Sequence, residues 1–177
     1  MTAVIVACAL SGLLVLVWQL IGASSKGTSA LQAWEIQKCD INVDGFRLLV
    51  DGNEEAYLRR EVPLGEFRRL QRKRILLALR SVRMMARNAA LLMKVATEAR
   101  QAGDSEVTNA ANRLVFLALQ VRMNAPVAEF YLLLKWAFPV AWIRVPMQFG
   151  RYERLLENLD WIRARRQQYA AHTPLAG

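Results

Sequence analysis

Glu66–Arg100, EFRRLQRKRILLALRSVRMMARNAALLMKVATEAR, holds the longest helical periodicity and the densest positive charge of this 177-residue chain. Ile75, Leu79, Val82, Ala86, Ala89, Met93 and Ala96 recur at alternating spacings of four and three, which at 100° per residue sets one apolar stripe on a helix. That stripe predicts a core-facing side. Lys73, Arg80, Arg87 and Lys94 fall seven apart on the opposite side, interleaved with Leu77, Met84 and Leu91 rather than with acids.

From Arg59 to Arg100 there are 12 Lys and Arg against three acids, and the other 12 basic and 12 acidic residues cancel. This one span therefore accounts for the whole net charge of +9. A helix that is apolar on one side and both cationic and apolar on the other calls for a second surface, either anionic lipid or an acidic partner. The contact residues expected are Arg68, Arg69, Arg72, Lys73, Arg74, Arg80, Arg87 and Lys94, with Leu77, Met84 and Leu91 filling the spaces between them.

Apolar residues make up 54% of the chain, and much of that excess lies at one end. Residues 3–23, AVIVACALSGLLVLVWQLIGA, carry no charge and span about 31 Å as a helix, enough to cross a bilayer core of about 30 Å. Met1-Thr2-Ala3 has no basic side chain, unlike the n-region of a secretory signal, so the segment reads as an uncleaved single-span anchor. All Lys and Arg follow it, which by the positive-inside tendency puts the body on the cytoplasmic side. Two cysteines, Cys8 and Cys39, offer no disulfide framework.

The expected organisation is mainly α: an anchor over 1–23, a flexible linker over 24–33, a small β-hairpin or meander over 34–63, a bundle of about four helices over 64–170, and a loose tail over 171–177. In the hairpin, Asp44-Gly45 makes the turn and pairs Val43 with Phe46, Ile41 with Leu48 and Cys39 with Val50 on one face. A third strand at Ala56, Leu58, Arg60 and Val62 ends at Pro63. A competing reading takes Asp40, Asn42, Asp44, Gly45 and Asp51 as a calcium loop of the D-x-N-x-D-G type. Arg47 at the eighth loop position and the lack of a second such loop weigh against it.

Ala102-Gly103-Asp104-Ser105 ends the basic helix and caps the next, so the two are expected as antiparallel neighbours. The second helix carries the stripe Val107, Ala111, Leu114, Ala118 and Val121. Pro126 kinks it or restarts it, and the apolar run to Ile143 reads as a buried or interfacial helix with Tyr131, Trp136, Phe138 and Trp142 as aromatic anchors. Glu129, Lys135 and Pro139 argue against a second span. A last helix over 151–169 puts Tyr152, Leu155, Leu159 and Ile162 on one face, with acids early and arginines late along the helix dipole.

Catalytic vocabulary is thin. The one histidine, His172, falls in the expected tail, and no Gly-rich phosphate loop, Cys-x-x-Cys pair or metal-spaced cluster occurs. Met84, Met85 and Met93 read as core filler rather than ligands. The sequence calls for no cofactor and for a non-catalytic, membrane-anchored accessory subunit, with a protein partner or further copies of itself. The alternatives are a membrane-tethered nucleic-acid binder, since a +9 span can neutralise phosphates, and an enzyme with an unrecognised carboxylate or arginine site.

Overall fold

A computed structural model of the chain describes residues 29–102, 104–141, 143–146 and 149–172. Three short helices, α1 (Ala30–Gln37), α2 (Val43–Val50) and α3 (Gly52–Glu61), precede three long ones. These are α4 (Leu64–Ala99), which ends in a 3₁₀ turn at Arg100–Ala102, α5 (Ser105–Ala137) and α6 (Phe149–His172). The proposed anchor over 3–23 and the end of the tail over 173–177 lie outside the described residues. Among the described residues no helix is long and apolar enough to cross a membrane, which applies to the run through Pro126 as well.

α4 and α5 form an antiparallel pair about 50 Å long at 1.5 Å per residue. Arg122 reaches Met93, Glu129 pairs with Arg83, and Trp136 lies against Arg72, so the numbering runs in opposite directions along the seam. Asp104 caps α5, its carboxylate accepting from the Glu106 N–H at 2.8 Å. Small side chains line the seam, with Ala89, Ala96 and Ala99 buried on one helix and Ala110, Ala111 and Ala118 on the other. Pro126 has no N–H for the turn before it, yet α5 continues through it, and Ala125 and Ala128 on either side are buried.

The core has two lobes. One gathers Trp34, Leu92, Val95, Val107, Leu114, Leu155, Leu159 and Ile162, and the other Phe46, Ile75, Leu79, Val82, Met85, Leu132 and Tyr152. The stripes expected on α4, α5 and α6 supply much of both, although Ala86, Met93 and Val121 are only half-buried. Asn88, 1% exposed, belongs to neither list. Its amide nitrogen donates to the Cys39 carbonyl and to the Tyr152 hydroxyl, both at 2.8 Å, and its amide oxygen accepts from the Cys39 N–H at 2.9 Å. One side chain thus ties α4 to the α1–α2 connection and to α6.

Over residues 34–63 the chain forms the end of α1, then α2 and α3 with short connections, and no strand occurs among the described residues, so the hairpin and meander are corrected. α1 begins at Ala30, inside the stretch over 24–33 that was expected as a linker. Asp44-Gly45 does not turn the chain. Asn42 caps α2 by accepting from the Gly45 N–H at 2.7 Å, and Asp51 caps α3 by accepting from the Asn53 N–H at 3.0 Å. A Cβ at residue 45 would meet the Asn42 side chain at 3.0 Å, so glycine here leaves room for the cap rather than for a hairpin turn. The expected pairing of Ile41 with Leu48 fails accordingly: Phe46 is 1% exposed and Leu48 58%.

Lys135, which the sequence reading treated only as a cost, lies with its side chain 9% exposed. It is ion-paired to Glu55 of α3, also largely buried, and donates to the Ile143 carbonyl at 3.0 Å.

Two outcomes follow for stability. Asn88→Ala strips both Cys39 backbone groups and the Tyr152 hydroxyl of a partner and should cost about 2–3 kcal/mol in chemical denaturation. Lys135→Met alone leaves the Glu55 carboxylate buried without its cation and should cost about 3 kcal/mol, while Lys135→Met with Glu55→Leu should recover most of that loss in a double-mutant cycle.

Candidate functional site

On α4, Arg69, Lys73, Leu76, Arg80, Arg83 and Arg87 fall within an arc of about 80°, turned away from the Ile75–Val82–Ala89 stripe. All six are exposed. Among the described residues, no carboxylate lies within ion-pairing distance of Arg69, Lys73, Arg80 or Arg87. Like charges crowded on one arc repel, so the folded chain holds this face at an electrostatic cost that an anion would relieve.

Several cations elsewhere are matched. Arg47 of α2 pairs with Glu153 at 2.7 Å, Arg165 with Glu106 at 2.8 Å, Arg163 with Glu35 and Lys38 with Glu35 at 3.2 Å. The Lys38 hydrogen bond holds the Glu35 carboxyl below the usual range. Acids of α1, α2, α5 and α6 are thus spent on pairing around the bundle, while the α4 arc has Glu129, with Arg83, at its edge.

The expected contact residues divide in the structure. Arg68, Arg69, Arg72, Lys73, Arg80 and Arg87 are exposed. Arg72 leans on the Trp136 ring, 5.7 Å from its centroid. Arg74 is half-buried and donates to the Leu48 carbonyl at 2.7 Å, which makes it part of the α2–α4 junction. Lys94 and Met84 are half-buried, Leu77 is 53% exposed, and Leu91 packs against the core lobe that contains Trp34. Leu91 is therefore committed inward, and Leu76, which the sequence reading omitted, is the leucine that sits inside the cationic arc.

A second exposed feature lies partly in the apolar run after Pro126 that was expected as a buried or interfacial helix. Phe116, Met123, Val127, Phe130 and Leu134 of α5 lie within an arc of about 60°, directly opposite the buried Val107–Leu114–Ala125 side. Phe116 is 61% exposed and Phe130 63%. Leu133 and Trp136 carry the apolar surface from this stripe to the α4 seam, and Phe138 extends it past the helix end. The signal was the same four-and-three spacing, hidden because both sides of α5 show it.

The calcium candidates do not converge. Asn42 and Asp51 are occupied as caps, Asp44 faces Arg47 at 3.4 Å, and α2 separates Asp44 from Asp51. No group of three or more His, Cys, Asp or Glu that could hold a metal occurs among the described residues. A cleft of about 570 Å³ is lined by Arg47, Asp51, Glu55, Lys135 and Arg144, and there Lys135 is matched to Glu55 and Arg47 to Glu153. Burial raises the Tyr152 phenol above its ordinary pKa, partly offset by the Asn88 hydrogen bond, which keeps it a neutral acceptor in the core. Burial lowers Arg122 from the usual guanidinium value.

No family model, curated protein or solved structure matches this chain.

Proposed function

We propose that this protein is a non-catalytic, membrane-anchored accessory subunit. Residues 3–23 hold it in the bilayer, and the α4 cations dock its helical body on an anionic surface, either the lipid headgroups around the anchor or an acidic partner on the same membrane. The observation that supports this reading is the crowding of Arg69, Lys73, Arg80 and Arg87 on one exposed arc, with no carboxylate partner among the described residues. Long side chains with aliphatic stems let those cations reach phosphates while Leu76 and Leu77 rest against the interface. Nothing in the site calls for a cofactor.

The test uses the full chain reconstituted in vesicles with a headgroup acceptor dye. With Trp18 and Trp142 replaced by Phe, energy transfer from Trp34, Trp136 and Trp161 reports how close the bundle lies to the surface. Transfer should be high in phosphatidylglycerol vesicles at low salt, and fall at high salt and in phosphatidylcholine. Each cation near an anionic surface contributes about 1 kcal/mol, so Lys73→Gln, Arg80→Gln, Arg87→Gln and Lys94→Gln together should shift the docked population by roughly a thousandfold. Circular dichroism should stay unchanged. Transfer that is equal in both lipids and indifferent to these four changes would overturn the lipid reading.

A further inference from the structure

We infer that the Phe116–Leu134 stripe of α5 seats in the acyl boundary of an anionic bilayer while the α4 arc meets the headgroup phosphates, so that the body is monotopic as well as tethered. This rests on the docking reading of α4 and adds to it a surface that charge alone does not need.

The stripe is about 27 Å long at 1.5 Å per residue and has no ionisable side chain within its arc. A soluble helix face of that kind is costly to leave in water. The cations lie on α4, across a seam where Arg72 stacks on Trp136 and Arg83 pairs with Glu129. The exposed apolar and cationic surfaces thus belong to neighbouring helices joined at that seam, and a body carrying both suits the boundary between headgroups and acyl chains. Trp136, exposed at the α4 seam, and Phe138, exposed just past the helix end, are side chains that favour this depth.

The chain outside the described residues indicates the same side. Ser29 and the Ala30 N–H both donate to Glu98, which follows Lys94 by one turn and falls on the cationic arc. The chain therefore enters the bundle at the edge of that face. Residues 24–28 can reach at most about 17 Å when extended, so an anchor over 3–23 holds this edge close to the bilayer surface. A second copy is a poorer occupant, because pairing two stripes would bring together two bodies that each carry the full +9.

The experiment uses the full chain with Cys8→Ser and Cys39→Ser, reconstituted in vesicles of phosphatidylglycerol and phosphatidylcholine. An environment-sensitive fluorophore is placed in turn at Met123→Cys, Phe130→Cys, Arg80→Cys and Leu48→Cys, the last on α2. Labels at 123 and 130 should be quenched by lipids with a shallow nitroxide and be several-fold better shielded from aqueous iodide than the label at 48. The label at 80 should report the headgroup layer and respond to salt. If 130 stays as open to iodide as 48 while 80 still senses the surface, the insertion is wrong and the docking reading survives. If neither 80 nor 130 responds to lipid, both fail. Shielding of 130 that is independent of lipid, with dipolar coupling between labels on two chains, would assign the stripe to a second copy and overturn the inference.

Discussion

The alanine seam between α4 and α5 sets how much of each long helix the rest of the chain can cover. Ala89, Ala96 and Ala99 against Ala110, Ala111 and Ala118 let the two backbones approach closely, and that contact occupies one side of each helix over most of its length. What remains to cover the other sides is α6 and three helices of 8 to 10 residues. These pack through Trp34, Phe46, Tyr152 and Leu159, and among the described residues nothing covers the α4 arc or the α5 stripe. What stays open is then defined by composition: cations on α4, apolar side chains on α5.

Asn88 makes that packing specific. Hydrophobic lobes above and below it would tolerate sliding of α1 and α6 along α4, since apolar contacts have no fixed direction. Three hydrogen bonds from one amide do not, because each is satisfied in only one register. The Glu55–Lys135 pair does the same at the other end, pinning α3 to the last turns of α5. Both devices consume polar groups in holding the bundle together, so the unmatched charge sits on the α4 surface and not in the interior.

Where a helix has one buried side, its sequence said so. The stripes of α4 and α6 and the Asp104 cap were legible because periodicity and capping chemistry agreed there. In residues 39–51 two periods fit the same letters: Ile41, Val43, Phe46, Leu48 and Val50 alternate around Asp44-Gly45, while Val43, Phe46, Leu49 and Val50 also share a helical side. The caps at Asn42 and Asp51 decide for helices, each satisfying an N–H that a first helical turn leaves without a backbone partner. Acids that resembled calcium ligands were helix starts.

α4 exposes Leu76 and Leu77 beside its cations, and α5 exposes a longer apolar stripe. Leu91 packs toward the bundle, while Leu76 and Leu77 stay exposed among the α4 cations. α5 is the helix with two apolar sides, and this is why periodicity could not reveal it: two opposed stripes cancel, and what remains looks like a generally apolar helix that ought to be buried all round. Only the count of neighbours able to cover it shows that one side must stay open. Dividing grease and charge between adjacent helices also has a physical consequence that a single amphipathic helix lacks. Each surface can meet its own layer of a lipid interface without any one side chain having to satisfy both, and the Arg72–Trp136 contact at the seam sits where those layers would join.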